Sequence, residues 1–243
     1  MKFIKLFKEQ TAFDEAKSTL NRPNVSLVKN NNNVYSLTEG EEVNANGHSY
    51  VDLGLPSGTL WAKYNVGATS ETAYGDYFMW GSTTPNTKDE CTWTNAPFNN
   101  KSSDYNETYF NSVKNTVCPN GILAKGYDAA SHIMGGDWRM PTETEIQELL
   151  DGTIWEWITN YKGTGVNGRK FTSKTDTSKY IFIPAAGYYS DGSVNNVDYR
   201  GYVWSSSLSA SNPNSAWYLS FYSENCIMND SGRCYGQSVR GVL

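Results

Sequence analysis

The chain has 243 residues and a formal net charge of −5, with 38% hydrophobic and 19% charged residues. This composition predicts one large domain, or one domain with a small appendage, and it excludes wholesale disorder because enough apolar side chains exist to build a core. Lys and Arg are scattered rather than gathered in a stripe with interleaved aromatics, and no apolar run approaches the roughly 18 residues that cross a bilayer. We therefore expect neither a nucleic-acid partner nor membrane insertion.

The first 45 residues differ from the rest of the chain. A short apolar run within Phe3–Phe7 suits a strand, and Thr11 is a good N-cap for a short helix. Two β-prone runs joined by asparagines then predict a hairpin over Val25–Leu37, followed by a polar linker over 38–47. These features predict a small αβ appendage over 1–45. The charges that interrupt its opening residues leave no apolar secretory signal.

The main domain, 46–243, opens with strand-like segments. Alternating or aromatic runs predict strands over 50–53, 59–66 and 76–81, with glycines at the turns between them. Residues 82–120 are polar and rich in Asn and Thr, and we interpret them as a long insertion with little periodicity.

The clearest local signal is the helix start at Thr142. Thr142 and Glu145 have the spacing of a capping box, and an apolar stripe follows on one helical face, so we predict a helix over Glu143–Asp151. The WEWI segment after it either extends that helix or begins a new element. The run KYIFIPAAGYY predicts a strand from residue 179 that Pro184 stops, and Asp191-Gly192 has the composition of a hairpin turn.

Motifs that would indicate catalysis or metal binding are weak in this chain. Gly163, Gly165 and Gly168 spell GxGxxG, but a helix before it and a strand after it reverse the dinucleotide-binding context, so a glycine-rich hairpin loop is the better interpretation. The two histidines, His48 and His132, lack a nucleophile elbow such as GxSxG. We predict no catalytic residues and no enzymatic activity.

The four cysteines give no metal-ligand pattern, because none of them forms a CxxC pair. We therefore expect reduced thiols, no metal site and no cofactor. The tryptophans beside apolar residues are predicted to lie in the core; these are Trp61, Trp80, Trp138 and Trp204.

The segment 216–222, AWYLSFY, alternates strictly. This pattern predicts a strand with Trp217, Leu219 and Phe221 pointing inward. Tyr218, Ser220 and Tyr222 would then point outward, beside a loop from Ser223 to Tyr235. Tyrosine with serine and asparagine is typical of binding surfaces, because tyrosine gives a large contact area with few rotatable bonds. An ordinary solvent-facing edge is the simpler alternative.

The main domain resembles a known family. Six blocks carry the resemblance, in this order: YVDLGLPSGTLWAKYNVGA, YGDYFMWG, WRMPTETEIQELL, FIPAAGYY, GYVWSSS and RCYGQSVRGV. They resemble the landmarks of the Fibrobacter-succinogenes-type major paralogous domain of gut bacteria and their phages. That resemblance implies an α+β chain with a C-type-lectin-like domain of short strands, one or two helices and long loops, beside the small N-terminal αβ appendage.

The last two blocks are similar to the variable region of retroelement-diversified proteins such as phage tropism determinants, here about 199–243. In that family, fixed positions form a frame while rewritten positions form a ligand-binding face. The resemblance assigns to the frame Trp204, Ser205, Ser206, Leu219, Phe221, Arg233, Gly236, Ser238, Val239 and Arg240. It assigns to the variable face Tyr202, Val203, Tyr218, Ser220, Tyr222, Glu224, Asn225, Cys226, Asn229, Asp230, Cys234 and Tyr235.

The resemblance implies a non-enzymatic receptor-binding protein, at a phage tail tip, that recognises a protein or glycan on a bacterial surface. Its location would be the virion, or the host cytoplasm before assembly. Residues 1–45 would attach the chain to a virion subunit or hold a homotrimer. The chain lacks the calcium- and sugar-binding motifs of C-type lectins and the cysteine pair of formylglycine-generating enzymes. An enzyme of that second type, or a structural virion or cell-surface protein, remains the alternative.

Overall fold

The computed structural model describes residues 44–243 and, before them, the backbone of three strands: β1 (Lys5–Phe7), β2 (Val25–Lys29) and β3 (Tyr35–Glu39). The chain divides into two compact units, Met1–Asn44 and Ala45–Leu243. The function of the first unit as an attachment or oligomerisation module stays a prediction.

The three N-terminal strands form one antiparallel sheet in the order β1-β3-β2. The predicted hairpin is confirmed, and it continues two residues further than expected because Val25 pairs with Glu39. The predicted linker over 38–47 is wrong for Thr38 and Glu39, which belong to β3, and for Asn44 and Ala45, which form a short strand. The helix predicted from Thr11 lies outside the described residues.

The second unit is built from short strands and a few helices. The strands are β4 (Asn44–Ala45), β5 (His48–Asp52), β6 (Leu60–Asn65), β7 (Tyr77–Phe78), β8 (Thr153–Ile158), β9 (Gly168–Ser173), β10 (Tyr180–Pro184), β11 (Tyr188–Ser190), β12 (Ser193–Asn195), β13 (Gly201–Leu208), β14 (Ser215–Phe221), β15 (Cys226–Gly232), β16 (Gln237–Ser238) and β17 (Arg240–Val242). The α-helices are α1 (Glu107–Val117), α2 (Ala129–Met134) and α3 (Glu143–Gly152).

The strands of this unit assemble into four sheets. The largest has the order β15-β14-β13-β16-β7, and the others are β17-β6-β5-β4, β10-β9-β8 and the hairpin β11-β12. Pairing is antiparallel except where Val203 of β13 meets Ser238 of β16. Mostly antiparallel sheets with helices outside them define the α+β class predicted from the sequence. The β8–β9 hairpin carries the glycine-rich loop, so the hairpin interpretation of GxGxxG is confirmed.

Two apolar cores lie on either side of the central sheet. One surrounds Trp80, Trp138 and Trp204, and the other surrounds Trp61 and Phe221. All four tryptophans predicted to be core residues are at most 1% exposed, which confirms that prediction. Three of their indole N–H groups donate to backbone carbonyls, as a buried tryptophan requires.

Helix α3 begins where the sequence places it. The Thr142 hydroxyl accepts a hydrogen bond from the Glu145 amide at 3.2 Å, and the Glu145 carboxylate accepts one from the Thr142 amide at 2.8 Å. This reciprocal pair is the predicted capping box. The helix packs its apolar stripe onto β13, β14 and β15. The WEWI segment belongs to a separate strand, β8, and does not extend the helix.

Within the described residues the structure contains three α-helices, so the expectation of one or two is wrong. Helix α1 lies in the segment 82–120, which was interpreted as a long insertion with little periodicity and no helix. It was missed because its apolar residues, Phe110, Val113 and Val117, are outnumbered by polar side chains in an Asn- and Thr-rich segment, although their spacing is helical. Asn106 caps this helix by accepting from the Tyr109 amide at 3.0 Å.

Candidate ligand-binding face

Strands β13, β14 and β15 bring most of the predicted site residues together. Their register places Val203 beside Leu219 and Met228 on one face of the sheet. Tyr202 lies beside Ser220 on the other face. The predicted alternation of β14 is therefore correct.

The predicted exposure of β14 is partly wrong. Leu219 and Phe221 are buried in the core as expected, but Tyr218 and Ser220 are each only 7% exposed, and Trp217 is only partly buried. The reason is that β14 lies inside the five-stranded sheet, with a packed core on both faces rather than on one. Trp217 pairs with Asp230 of the edge strand β15, near the start of β14, where less protein covers it.

Residues 223–235 are not one loop, as predicted, because most of them form strand β15. β15 pairs along its whole length with β14, from Phe221 opposite Cys226 to Ser215 opposite Gly232. The connection between these strands is a tight turn at Ser223 and Glu224. Tyr222 and Asn225 close it, with the Tyr222 amide donating to the Asn225 carbonyl at 2.9 Å.

Half of the predicted variable residues are buried, contrary to their expected display on a surface; these are Tyr202, Val203, Tyr218, Ser220, Cys226 and Cys234. Val203 and Cys226 lie on the face that packs against α3, so they belong to the second core. Cys234 packs with Cys91 and Met79 in a small separate cluster. The residues that do reach the surface are Tyr222, Glu224, Asn225, Asn229, Asp230 and Tyr235.

All ten residues that the resemblance assigns to the fixed frame are buried. The Trp204 indole donates to the Phe78 carbonyl at 2.8 Å. The Arg240 guanidinium donates to the carbonyls of Ala62 and Phe182 at 3.0 and 2.8 Å. These bonds join separate strands, so the frame positions hold the C-terminal strands against the rest of the domain.

A cluster of tyrosine rings runs from the core to the surface. This tyrosine cluster comprises Tyr188, Tyr202, Tyr218 and Tyr235. The Tyr202 ring centre lies 5.6 Å from that of Tyr218 and 5.0 Å from that of Tyr188, and Tyr188 lies 5.6 Å from Tyr235. These distances are typical of favourable aromatic pairs. The two outer members, Tyr188 and Tyr235, are partly exposed.

The β11–β12 hairpin supplies Tyr188, which the sequence interpretation did not place in the site. Its turn at Asp191 and Gly192 has positive φ at both positions, 44° and 78°, as a two-residue hairpin turn requires. The predicted hairpin turn is thereby confirmed. Backbone hydrogen bonds between Tyr189 and Gly236, at 2.8 and 2.9 Å, attach the hairpin to the C-terminal segment.

Arg200 and Tyr222 form the rim of the tyrosine cluster. The guanidinium carbon of Arg200 lies 4.6 Å from the centre of the Tyr222 ring and 5.9 Å from that of Tyr199, which is 60% exposed. Sequence reasoning missed Arg200, because no local pattern marks its neighbours in space. We call Tyr199, Arg200 and Tyr222 the arginine rim.

Burial dominates the ionisation of this region. It raises the pKa of Tyr218 to about 12, helped by Tyr202 and opposed by Ser220 and Arg200. Burial also raises the pKa of the Cys226 thiol to about 12, with Arg169 acting weakly in the opposite direction. The pKa of Cys234 is likewise raised to about 12, chiefly by burial. These phenols and thiols are therefore neutral at physiological pH.

Three features bear on a catalytic or metal centre: the two histidines, a cleft beside β15, and the side chains that could ligate a metal. His132 is exposed on α2, and the ring of His48 packs edge-on to Trp138 at 6.2 Å. A cleft of about 550 Å³ lies between α3, β8 and β15 and is lined partly by Trp155, Cys226 and Met228. Across the part of the chain that the structure describes, no group of three or more His, Cys, Asp or Glu side chains is arranged to hold a metal ion.

Comparisons of the chain with protein-family models, curated proteins and solved structures gave no significant match. Among the described residues, no helix combines the length and apolar character needed to cross a bilayer.

Proposed function

We propose that the chain is a non-enzymatic ligand-binding protein that uses the tyrosine cluster and the arginine rim as its binding face on a C-type-lectin-like domain. The observation that supports this most directly is the placement of the rings. Tyr202 and Tyr218 are fixed by stacking within the sheet, and they hold Tyr188 and Tyr235 at the surface. Rigid aromatic side chains lose little entropy on binding, so a preformed array favours ligand recognition.

Burial separates the predicted site residues into two groups. Buried residues support the sheet, and exposed residues, called displayed here, are available to contact the ligand. The buried members, including Val203 and Cys226, support the sheet and do not touch the ligand. The displayed members are Tyr222, Glu224, Asn225, Asn229, Asp230 and Tyr235, together with Tyr188, Tyr199 and Arg200. Six of the twelve predicted residues therefore remain as proposed ligand contacts. Three residues that the sequence did not predict, Tyr188, Tyr199 and Arg200, join them.

We further propose that the protein binds a receptor on a bacterial surface from a phage tail tip, and that a retroelement diversifies its displayed residues. The resemblance of the last two sequence blocks motivates this, and the complete burial of the ten frame residues fits it. Residues 1–45 would attach the chain to a virion subunit or a homotrimer, which would raise the avidity of weak single sites. A near-copy of the final coding stretch that differs only at adenines, beside a reverse transcriptase gene, would test the diversification.

The formylglycine-generating type of enzyme is the less favoured alternative. Such an enzyme needs a reactive thiolate in a cleft, and Cys226 is the thiol that lines the cleft beside β15. Its pKa, raised to about 12 by burial, keeps that thiol protonated and weakly nucleophilic at neutral pH.

The binding proposal is tested with fluorescently labelled full-length chain and a panel of bacterial strains, measured by flow cytometry. On a strain that binds, Tyr222→Ala should weaken binding by tenfold or more, as expected for a central aromatic contact at about 1.4 kcal/mol per tenfold. Tyr109→Ala, a partly exposed tyrosine on α1, is the matched control and should bind normally. Equal binding by wild type and Tyr222→Ala would contradict the assignment of the face.

A further inference from the structure

Within the part of the chain that the structure describes, no carboxylate lies within ion-pair distance of the Arg200 guanidinium. Within the described residues, the ion pairs join Lys88 to Asp89, Arg139 to Glu145 and Lys162 to Glu71, and Arg200 belongs to none of them. Its cationic group instead lies over the Tyr222 ring at 4.6 Å. An arginine carries five N–H donors in a planar fork, and a ring face satisfies none of them.

The backbone of Arg200 is fixed, so its side chain projects from a rigid point. The Arg200 amide donates to the Asn196 carbonyl at 2.9 Å, and its own carbonyl accepts from the Gly187 amide at 2.9 Å. Arg200 directly precedes Gly201, the first residue of β13. The side chain therefore starts from a fixed backbone position, and its contact with the Tyr222 ring orients the guanidinium.

A second arginine lies behind the same turn. Arg169 is 3% exposed and donates through Nη2 to the carbonyls of Tyr222 and Asn225. Its guanidinium also faces the ring of Trp155 at 5.0 Å, and it too has no carboxylate partner in the described part of the chain. Two arginines that form no ion pair among the described residues therefore lie beside Tyr222. Arg200 lies at the surface, and Arg169 lies beneath the turn.

Three carboxylates that are close to this corner in the sequence or the sheet, Asp198, Glu224 and Asp230, form no described ion pair with Arg200. Asp198 accepts a hydrogen bond from the Tyr74 hydroxyl. Glu224 is exposed in the turn, where water and salt screen its charge. Asp230 pairs with Trp217 in the sheet, so its side chain belongs to the face opposite that of Tyr218.

Polar groups surround the rings beside Arg200. The Asn196 amide donates to the Tyr202 hydroxyl at 2.8 Å, and Ser220 lies opposite Tyr202 in the sheet. A tyrosine has a flat apolar ring face and a polar hydroxyl at its tip. A sugar ring can pack its C–H face on the tyrosine ring while its hydroxyl groups bond to the polar groups around it. Ile227, 42% exposed, is the aliphatic side chain next to this patch on β15.

We infer that the ligand of this face is an anionic saccharide, with its carboxylate or phosphate held by the Arg200 fork and its ring placed on the tyrosines. This inference rests on the proposed binding function and specifies its ligand class. Arginine binds both anions in two parallel hydrogen bonds, so uronic acids and phosphorylated sugars share the required chemistry. Binding should weaken as salt is added, because the cation is at the surface.

The test uses the full chain and saturation-transfer NMR with three probes: glucuronate, glucose 6-phosphate and glucose. At least one anionic probe should bind tenfold or more tightly than glucose, in keeping with a charge-assisted pair. Arg200→Gln should remove that preference, and Arg200→Lys should restore part of it. Lys179→Gln, an exposed lysine elsewhere, removes the same charge and should change nothing. The relative response to the two anions identifies carboxylate or phosphate as the recognised group.

Equal binding of glucose and both anions, or a preference that survives Arg200→Gln, would overturn the inference. Binding of a glutamate-rich peptide in place of all three sugars would also overturn it, because the ligand would then be a protein. These failures are distinct from failure of the proposed function. If Tyr222→Ala still abolishes cell binding while the sugars do not bind, the face recognises a ligand of another class.

Discussion

The guanidinium carbon of Arg233 lies 3.8 Å from the centre of the Phe110 ring, in a completely buried position. The rings of Trp80, Trp93 and Tyr105 surround the same cation at 5.5 to 5.9 Å. Its Nε donates to the Pro213 carbonyl at 3.0 Å. Burial lowers the pKa of Arg233 to about 10, opposed chiefly by Tyr105, so the group stays charged at neutral pH. This contact joins the C-terminal frame to helix α1.

Arg233→Ala should lower the free energy of unfolding by about 3 kcal/mol, because it opens a cavity and leaves the Pro213 carbonyl unpaired. Combining Arg233→Met and Phe110→Leu in a double-mutant cycle should give a coupling of about 1 kcal/mol from the cation–ring contact. Urea denaturation followed by tryptophan fluorescence measures both. A coupling of zero would mean that the ring only fills space.

Gly201 is predicted to be intolerant of any side chain. A Cβ atom there would lie 1.9 Å from the nearest atom of the Phe221 ring, which is buried in the core and cannot withdraw. Gly201→Ala should therefore cost about 1–3 kcal/mol, as overpacking does. Gly126→Ala is the matched control, since nothing lies within 4 Å of its Cβ position. It should change stability by less than about 1 kcal/mol in thermal unfolding. Equal effects of the two substitutions would refute the close approach of β13 and β14.

The capping box should make part of the stability depend on pH. Burial alone would raise the pKa of Glu145, but hydrogen bonds from Arg139 and Thr142 outweigh it and leave the pKa lowered. In the unfolded chain the pKa of this carboxyl is near 4.5, and in the folded chain it is lower. The ionised carboxylate therefore stabilises the fold fully at pH values above 4.5. That stabilisation is lost as the pH falls through the folded pKa. Glu145→Gln should cost about 1–2 kcal/mol at pH 7 and much less at pH 3. A cost that does not change between these pH values would rule out the ionised cap.

The cysteines are predicted to be inert in the folded chain. Burial raises the pKa of Cys91, Cys226 and Cys234 to about 12 each, so almost no thiolate exists at pH 8. An aromatic disulfide reagent should modify the native thiols more than about 100-fold more slowly than the urea-unfolded ones. One rapidly reacting thiol in the native chain would restore the enzymatic alternative.

The sequence predicted correctly those features that depend on a local pattern of residues. The capping box at Thr142, the alternation of β14 and the burial of Trp204 each follow from near neighbours in the chain. Helix α1 escaped prediction because polar residues outnumber its apolar stripe, although Asn106 and Glu107 form a recognisable helix start.

The exposure of the site could not be predicted from its own segment. Alternation tells which residues share a face of β14, but it does not tell whether another part of the chain covers that face. Tyr218 is buried because residues far away in sequence complete the first core around it. That Arg200 belongs to none of the ion pairs among the described residues is also a tertiary property, so no motif could have identified it.

The central claim is that ligand contacts the arginine rim and the exposed members of the tyrosine cluster. Hydroxyl-radical footprinting of the chain, free and bound to cells of a strain that it recognises, tests this most directly. We predict that Tyr199, Tyr222 and Tyr235 become protected on binding while Tyr109 and Trp155 keep their reactivity. Protection of Trp155 with unchanged labelling of Tyr199 and Tyr222 would contradict the account and place the ligand in the cleft beside β8.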